Sequence, residues 1–473
     1  MAIFYKPSKG KNKSNVKGRV RGAGSGEKQH IVKTKQSWPS VDDINTANEA
    51  VTIDGMDWQG QGVARGETLF FVDGALPGET VEIKALSSNK QIVNAKVTKV
   101  NTPSEHRQKP FCGVANQCGG CQLQHVEPQE ALALRDDALK SMFQRKLGFN
   151  EGAWQAPVSG NRPRYRRKAR LAIDARNPDK IKLGFRENAG KNIVDIEGCP
   201  VLVESLSQLI APLKSAITGY ASARLVGHVS LLAGENAVQV TVKHTRSLAN
   251  DFIASLSQFA VEQNVNMTIE DGNGEFTHLH EIAPITCNTV DGFYLQPGPN
   301  DFVQVNAEVN TKMVAQALSW LAPKAGERIA DWFSGLGNFT LPIANSGATV
   351  SAVEGVAEMV QRAKSNALEQ GITNVDWMQL DLADEKSVDK ALAGGFDKVL
   401  LDPSREGALT VCHALVRATP STIVYVSCNP NTFSRDARVL IDGGYQMQKA
   451  GVIEMFPFTH HMETMALFSR QQQ

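Results

Sequence analysis

The strongest constraint on the fold is an alternation of two patterns in the last third of the chain. Five short apolar runs, each separated from the next by a stretch with helical periodicity, cover residues 328–333, 349–353, 375–380, 398–401 and 422–426. Parallel strands need a crossover helix between them, so this alternation is typical of a doubly wound parallel sheet. Two further runs, 447–455 and 465–468, are expected to complete the sheet. The sequence therefore predicts an α/β, Rossmann-like domain over residues 307–473.

The remainder of the chain is long enough for additional domains, because 473 residues exceed what one hydrophobic core usually supports. Short β-branched runs broken by glycine over residues 41–101 predict a small OB-like β-barrel, a fold that often binds RNA. The alternative is a domain with only a packing role. Residues 102–306 mix strand-like and helical segments, which predicts a central α+β domain. Its first helix, expected over 128–146, is predicted to cover a cysteine-rich loop.

The first 40 residues carry many lysines and arginines interleaved with glycines, although the whole chain has a net charge of only +1. Such a segment cannot bury enough apolar surface to fold alone, so a disordered arm that contacts phosphates is predicted. A solubilising tail without a specific partner is the alternative. The sequence shows neither a secretory signal nor an apolar stretch as long as a membrane span, so a cytoplasmic location without membrane contact is expected.

A glycine-containing turn after the first run of the last third indicates a cofactor site. Gly335 and Gly337 would let the backbone approach a ligand closely. Glu354 ends the next run, where a carboxylate can accept hydrogen bonds from ribose hydroxyls. Thr340 replaces the third glycine of a dinucleotide fingerprint, which favours an adenosyl cofactor over NAD. Asp381, after the third run, could reach the adenine, and a helix N-cap is the alternative for it.

A cysteine just after the fifth run and a glutamate just before the last run suggest covalent catalysis. Cys428 follows the fifth run, at a junction where a thiol can be exposed and its pKa lowered by amide donors and cations. An inert buried cysteine is the alternative. A thiolate suits covalent addition to an electrophilic ring carbon, and the later loss of a proton from such an adduct requires a general base. Glu463 is the candidate base, with His460 and His461 as rivals.

The cysteine-rich loop has the spacing of a metal site. Cys112, Cys118 and Cys121 form a C-x5-C-x2-C pattern, and three soft ligands within ten residues are a strong metal signal. Cys199 is the best candidate for a fourth ligand. Spacing alone cannot separate structural zinc from an iron–sulfur cluster.

A basic run at 162–168 places Tyr165 among arginines, with Arg170 just beyond it. The combination predicts phosphate contacts and base stacking on RNA. A solvated edge strand is the alternative.

Five motifs in order, read together, resemble the uracil-5 RNA methyltransferases, and most closely their 23S ribosomal RNA type. The motifs are Cys-Gly-Gly-Cys, Phe-Ser-Gly-Leu-Gly-Asn-Phe-Thr, Asp-Pro-Ser-Arg-Glu-Gly, Ser-Cys-Asn-Pro and His-Met-Glu-Thr. The resemblance covers the chain from about Val51 onward and implies methylation of carbon 5 of a uridine, with position 1939 as the family target. Two positions depart from the family pattern: Ser404 stands for a usual proline and Ser334 for a common cysteine.

The resemblance also implies cofactors and roles for individual residues. It implies a [4Fe-4S] cluster on Cys112, Cys118, Cys121 and Cys199, with Cys428 as the nucleophile and Glu463 as the base. It implies contacts with S-adenosylmethionine from Gln304, Phe333, Asn338, Glu354, Asp381 and Asp402. The N-terminal barrel would be a TRAM domain, which favours ribosomal RNA over transfer RNA enzymes.

Three other functions compete with this interpretation. A cytosine-5 RNA methyltransferase would carry a second cysteine where Asp402-Pro403-Ser404 stands, and that cysteine is missing. A transfer RNA uracil-5 methyltransferase and a non-catalytic RNA-binding factor for ribosome assembly remain alternatives. The expected partner is 23S ribosomal RNA, and no obligate protein partner is indicated, so a monomer is expected.

Overall fold

The computed structural model describes residues 41, 42, 44 and 50–470, and the predicted basic tail lies outside them. The described part of the chain belongs to one compact unit. It contains three large sheets, and the element labels used below follow chain order. Among the described residues, no helix combines the length and the apolar character needed to cross a bilayer.

The first sheet has six short strands in the region predicted to be a small barrel. They are β1 (Ala50–Thr52), β2 (Gly55–Met56), β3 (Gly62–Ala64), β4 (Leu69–Asp73), β5 (Thr80–Asn89) and β6 (Ile92–Thr102). The strand order is β1-β5-β6-β4-β3-β2, so β1 and β2 lie at opposite edges. Only two residues separate these edge strands along the chain, which brings the two edges together. The predicted β-rich region is confirmed.

A long helix, α1 (Pro128–Leu147), follows the cysteine-rich loop. Proline in the first turn and Gly148 in the left-handed region set its ends. Its buried face, including Leu139 and Phe143, packs into the core of the last sheet. Near its start, Ala131 and Leu134 pack in a cluster with Leu123 and Val126, which follow the cysteines. The helix therefore contacts the segment just after the cysteine-rich loop, while most of its apolar face packs elsewhere, and its covering of the loop itself stays a prediction.

The second sheet has seven strands and forms the middle of the chain. They are β7 (Lys168–Asp174), β8 (Lys182–Arg186), β9 (Ile193–Asp195), β10 (Val226–Ala233), β11 (Val238–His244), β12 (Asn266–Glu270) and β13 (Phe276–His280). Three helices accompany it: α2 (Glu204–Ser207), α3 (Ile210–Ile217) and α4 (Asn250–Gln263). A two-stranded hairpin, β14 (Cys287–Asn288) and β15 (Tyr294–Leu295), leads to the last region. This mixture of strands and helices agrees with the α+β prediction.

The third sheet is the doubly wound sheet predicted from the alternating runs. Its strands are β16 (Arg328–Trp332), β17 (Thr349–Glu354), β18 (Val375–Gln379), β19 (Lys398–Leu401), β20 (Thr422–Ser427), β21 (Tyr445–Ile453) and β22 (Glu463–Arg470). Its helices are α5 (Ala307–Leu321), α6 (Thr340–Asn345), α7 (Ala357–Glu369), α8 (Glu385–Leu392), α9 (Leu409–Ala418) and α10 (Pro430–Asp442).

The strand order of this sheet is β18-β17-β16-β19-β20-β22-β21. The first five strands are parallel, and β22 lies antiparallel between β20 and β21. The order reverses direction between β16 and β19, and ligands of such sheets bind beyond the carboxyl ends of the strands at this switch point. The α/β fold class is confirmed, and the expected site lies at the ends of β16, β17, β19 and β20.

Candidate active site

Strand register brings the predicted nucleophile and the predicted base together. In the antiparallel pair of β20 and β22, Ser427 lies opposite Thr464. Cys428 is the residue after Ser427, and Glu463 is the residue before Thr464, so in this antiparallel register Cys428 faces Glu463. The two side chains are close enough for the Glu463 carboxylate to raise the pKa of the Cys428 thiol. A pairing of strands that sequence periodicity cannot reveal thus creates the candidate catalytic pair.

The environment of Cys428 differs from the one expected from its position in the sequence. Burial raises the pKa of its thiol to about 12, and Glu463 and Asp402 add to the increase, whereas Arg405 opposes it. The prediction of a lowered thiol pKa is therefore wrong, because burial of the sulfur raises the pKa most and two neighbouring carboxyl groups raise it further. The half-buried thiol nevertheless lies at the end of β20, in the cleft, as predicted.

Glu463 is a buried carboxyl group with a raised proton affinity. It is only 5% exposed, and its Oε2 atom has no hydrogen-bond partner among the described residues. Burial and the neighbouring Asp402 raise the pKa of its carboxyl to about 8. A raised value near the working pH suits general acid–base chemistry.

The two rival histidines are less suitable as bases. Nδ1 of His460 lies 2.6 Å from the carbonyl oxygen of Gln59, in the first sheet, so this ring is engaged away from Cys428. Although part of the His461 ring is solvent-exposed, desolvation and the Arg405 guanidinium lower its pKa to about 4. A group with so low a pKa is a weak proton acceptor at neutral pH.

A row of carboxyl groups runs from the base towards the cofactor turn. Asp402 follows β19, and burial together with Asp331 raises its pKa to about 7. Asp331, in β16, is fully buried, and burial and Glu354 raise its pKa to about 7 as well. Thr340 donates to one Asp331 oxygen at 2.5 Å, while Oδ1 of Asp331 has no partner among the described residues. Sequence reasoning assigned no role to Asp331, which lies two residues before Phe333.

Glu354 holds the glycine turn through its carboxylate. Its Oε2 accepts from the backbone N–H of Gly335 at 3.1 Å, and its Oε1 accepts from Gly355 and Val356. A carboxylate offers about four acceptor positions, so one is left for a ligand hydroxyl. Phe333 adopts a φ of 65° at the start of this turn, and Gly337 a φ of 93°. The turn is thus shaped as the sequence predicted, with Glu354 at its centre.

The other predicted cofactor residues lie at the same edge but have distinct surroundings. Asp381 accepts from the backbone N–H of Ala383 at 3.0 Å, and Asp384 rather than Asp381 caps α8, so the N-cap alternative for Asp381 is wrong. Both polar atoms of the Asn338 amide pair with Asn310 of α5, at 2.8 and 3.0 Å. Asn310 was not identified from the sequence. Gln304 is buried, and its Oε1 has no partner among the described residues.

The four predicted cluster ligands are half-buried and lie near one another. Cys112 and Cys199 are close enough to Cys118 to raise the pKa of its thiol, and Cys118 and Cys199 likewise raise the thiol pKa of Cys121. Gln124 is part of the same site, since its Oε1 accepts from the backbone N–H of Cys112 at 3.2 Å. Within residues 50–470, however, no three His, Cys, Asp or Glu side chains converge on the position of a single metal ion.

The basic run is used mainly inside the protein. Tyr165 is 6% exposed and donates to the carbonyl of Pro457, so it cannot stack on a base, and that prediction is wrong. Arg162 pairs with Glu454, and Arg164 pairs with Glu204. Arg167 is 4% exposed and donates to the carbonyl of Gln304 at 2.8 Å.

Comparisons with known proteins point to one family. The sequence profile of the tRNA (Uracil-5-)-methyltransferase family matches residues 129–471. A protein of Alteromonas naphthalenivorans named 23S rRNA (uracil(1939)-C(5))-methyltransferase RlmD is 99% identical over 473 residues, covering 100% of both chains. Proteins with the same name from Alteromonas mediterranea and Aeromonas hydrophila subsp. hydrophila are 56% and 39% identical, over 100% and 89% of this chain and 100% and 96% of theirs.

The fold is also found in a solved structure. The tRNA (uracil-54, C5)-methyltransferase of Pyrococcus abyssi, in complex with S-adenosyl-L-homocysteine, superposes with a TM-score of 0.70. The match covers 89% of this chain and 100% of that one, at 23% identity. At this level of identity the similarity shows a shared fold.

Proposed function

This chain belongs to the tRNA (Uracil-5-)-methyltransferase family, and from that membership we propose that it methylates carbon 5 of a uridine in 23S ribosomal RNA. The position named in its relatives, uridine 1939, is the proposed target. The single observation that carries the proposal is the pairing of Cys428 with Glu463 through the register of β20 and β22. A nucleophile and a base that face each other suit a reaction with an addition and an elimination step.

The methyl donor proposed for the site is S-adenosylmethionine, whose sulfonium would supply the methyl group. Unpartnered buried atoms, Oδ1 of Asp331, Oε1 of Gln304 and Oγ of Ser334, are available for a polar ligand. A cationic donor would be attracted to the carboxyl row and would lower the raised pKa values of its members. We assign donor contacts to Gln304, Phe333, Asn338, Glu354, Asp381 and Asp402.

The proposed mechanism uses Cys428 first and Glu463 second. The Cys428 thiol gives its proton to solvent, and the resulting thiolate adds to carbon 6 of the uracil ring, which makes carbon 5 nucleophilic. After carbon 5 has been methylated, Glu463 accepts the proton that this carbon carries. The electron pair of the broken C–H bond re-forms the ring double bond and expels the Cys428 thiolate. The unpartnered Oε2 of Glu463 is free to take that proton.

We also assign a [4Fe-4S] cluster to Cys112, Cys118, Cys121 and Cys199. An all-sulfur donor set of four cysteines is the usual one for such a cluster. A cluster is larger than one ion, so its ligands need not converge on a single point. After anaerobic reconstitution, analysis of the full chain is expected to give about four iron and four sulfide per protein. Stoichiometric zinc without sulfide would contradict the assignment.

The domain assignment completes the proposal. Residues 41–101 would form a TRAM-like RNA-binding barrel, 102–306 the cluster-bearing central domain and 307–473 the methyltransferase domain. The enzyme would act as a monomer in the cytoplasm, where ribosomal RNA is available.

The decisive experiment incubates the protein with methyl-labelled S-adenosylmethionine and unmodified 23S ribosomal RNA, followed by nucleoside analysis. Label in 5-methyluridine is expected, and Cys428→Ala should lower the rate by about 10⁴-fold or more, because the addition step is lost. Label in transfer RNA alone would move the substrate to the tRNA alternative. Donor binding without transfer to either RNA would favour the non-catalytic alternative.

A further inference from the structure

The loop that carries the proposed base is positioned from outside its own sheet. It connects β21 to β22 and spans residues 454–462, and Glu463 is the first residue after it. Phe458, in its middle, has a φ of 67°, a left-handed conformation that is strained for a non-glycine residue. A strained loop of this kind keeps its shape only where its surroundings fix it.

Residues from the first half of the chain make hydrogen bonds that hold this loop in place. The backbone N–H groups of Gln122 and Leu123 both donate to the carbonyl of Phe458, at 2.8 and 3.0 Å. The Tyr165 hydroxyl donates to the carbonyl of Pro457 at 3.2 Å. Arg162 pairs with Glu454 at the beginning of the loop. These contacts fix the first half of the loop. In the second half, His460 contacts Gln59 and Gln122 and the His461 ring contacts Arg405, while one further residue holds the backbone carbonyl of His461.

That residue is Arg135 of α1, whose guanidinium is 1% exposed. Its Nη2 donates to the carbonyl of His461 at 3.0 Å, and its Nε donates to the carbonyl of Trp58 at 2.9 Å. A buried cation is costly unless it is paired and hydrogen-bonded, and the carboxylates that face it are Glu454 and Asp57. The Arg135 guanidinium thus links the turn between β2 and β3 to the backbone of the loop at His461, two residues before Glu463.

The contact between Arg135 and the His461 carbonyl is important for the position of the Glu463 carboxyl group. Because its Oε2 has no partner among the described residues, hydrogen bonds do not fix that oxygen. Its location therefore depends on where the backbone of β22 begins. A displacement of about 1 Å of a reacting group can cost a hundredfold in rate.

We propose that Arg135 is a positioning residue for proton abstraction, holding the backbone at His461 so that the Glu463 carboxylate meets carbon 5 of the bound uracil. This inference rests on the proposed role of Glu463. It predicts a defect confined to one step: the covalent adduct between Cys428 and RNA forms normally, but its breakdown is slow.

The test follows the adduct in single turnovers of the full chain with unmodified 23S ribosomal RNA and labelled S-adenosylmethionine, quenched in denaturant. Arg135→Met is expected to form adduct at the rate of the unchanged protein and to resolve it about 10- to 100-fold more slowly. Arg438→Met is the matched control, since Arg438 donates to the Lys146 carbonyl at the far end of α1. It should resolve the adduct at the normal rate.

Three results would overturn the inference. Normal adduct breakdown in Arg135→Met would show that the contact does not position the base. An equal loss of donor affinity and adduct formation would make Arg135 a general stabiliser. If Glu463→Gln also resolved the adduct normally, the proposed base itself would be wrong, which separates that failure from a failure of Arg135 alone.

If Arg135→Met does not fold, Arg135→Lys replaces it. The ammonium keeps the charge but cannot span both carbonyls as the planar fork does, so slow breakdown is again expected. Normal breakdown in Arg135→Lys would contradict the inference.

Discussion

The two halves of the candidate active site are held in opposite ways. On the nucleophile side, the loop after β19 is fixed by α10, which follows Cys428: Asn429 and Thr432 donate to the Arg405 carbonyl at 3.0 and 3.1 Å. On the base side, the loop before Glu463 is fixed by Arg135, Gln122 and other residues of the first half of the chain. The loop after β19 is thus held by residues of the methyltransferase region, whereas the loop before Glu463 is also held by regions that precede the sheet.

A buried aspartate stabilises the nucleophile side. Asp436 of α10 accepts from the Ala408 backbone N–H at 2.7 Å and from the Tyr425 hydroxyl at 2.8 Å. Gly407 has a φ of 80°, and a Cβ there would collide with Asp436, so the loop passes directly over this carboxylate. The turn from Ser404 to Gly407 is closed by a backbone hydrogen bond of 3.0 Å, although a usual proline is absent.

The largest effect that would separate the two sides is expected for Glu463→Gln. The amide cannot accept the proton, so turnover should fall by about 10²- to 10⁴-fold while the adduct accumulates. Denaturing gels of protein with RNA, together with steady-state rates, measure both quantities. Glu262→Gln, on the distant helix α4, should change neither. If Glu463→Gln abolished adduct formation as well, the two sides would not be functionally separate.

A smaller effect is expected for Asp436→Asn, which weakens the nucleophile side alone. Removal of a buried charged acceptor should lower the free energy of unfolding by about 1 to 3 kcal/mol. Because the loop after β19 loosens, adduct formation should slow by about 10-fold, with adduct breakdown unchanged. Urea unfolding and single-turnover assays provide the measurements. Asp442→Asn, at the exposed end of the same helix, is the control, and slow breakdown in Asp436→Asn would contradict the comparison.

The smallest effect concerns stability against pH on the base side. Since burial raises the pKa of the Glu463 carboxyl to about 8, the folded protein binds this proton more tightly than the unfolded chain does. The free energy of unfolding therefore falls as pH rises from about 4.5 to 8. Glu463→Gln should escape this loss and raise the Tm by roughly 1 to 3 °C at pH ~8.5, with no gain at pH ~4. The prediction would be contradicted if calorimetry at pH ~8.5 gave Glu463→Gln a lower Tm than the unchanged protein.

Sequence periodicity predicted the doubly wound sheet closely, because four of its five parallel strands are largely buried and leave clear apolar runs. The strand observed at Lys398–Leu401 has the predicted limits, and the one at Thr422–Ser427 is longer by one residue. The turn around Gly335 followed from its glycine motif, whereas the approach of Cys428 to Glu463 follows from the register of β20 and β22. The raised thiol pKa of Cys428 could not be predicted, because it arises from Glu463 and Asp402, which the fold brings in from other strands.

Residues that act through long-range contacts were also beyond sequence reasoning. Arg135 occupies a helical position that periodicity would assign to the apolar face, and only the structure shows its guanidinium between two carbonyls. Tyr165 was misassigned because a tyrosine among arginines has the same composition whether it meets RNA or the protein core. The cluster assignment for Cys112, Cys118, Cys121 and Cys199 stays a prediction, as do the roles of Cys428 and Glu463.

The place of β22 in the sheet has a consequence for biosynthesis. This strand is the last of the third sheet along the chain, yet it lies between β20 and β21, and Glu463 is its first residue. Chains grow from their N-terminus, so the barrel, the cysteine loop and α1 are available long before this strand emerges. Glu463 can therefore face Cys428 only after this strand has been synthesised and has paired with β20 and β21.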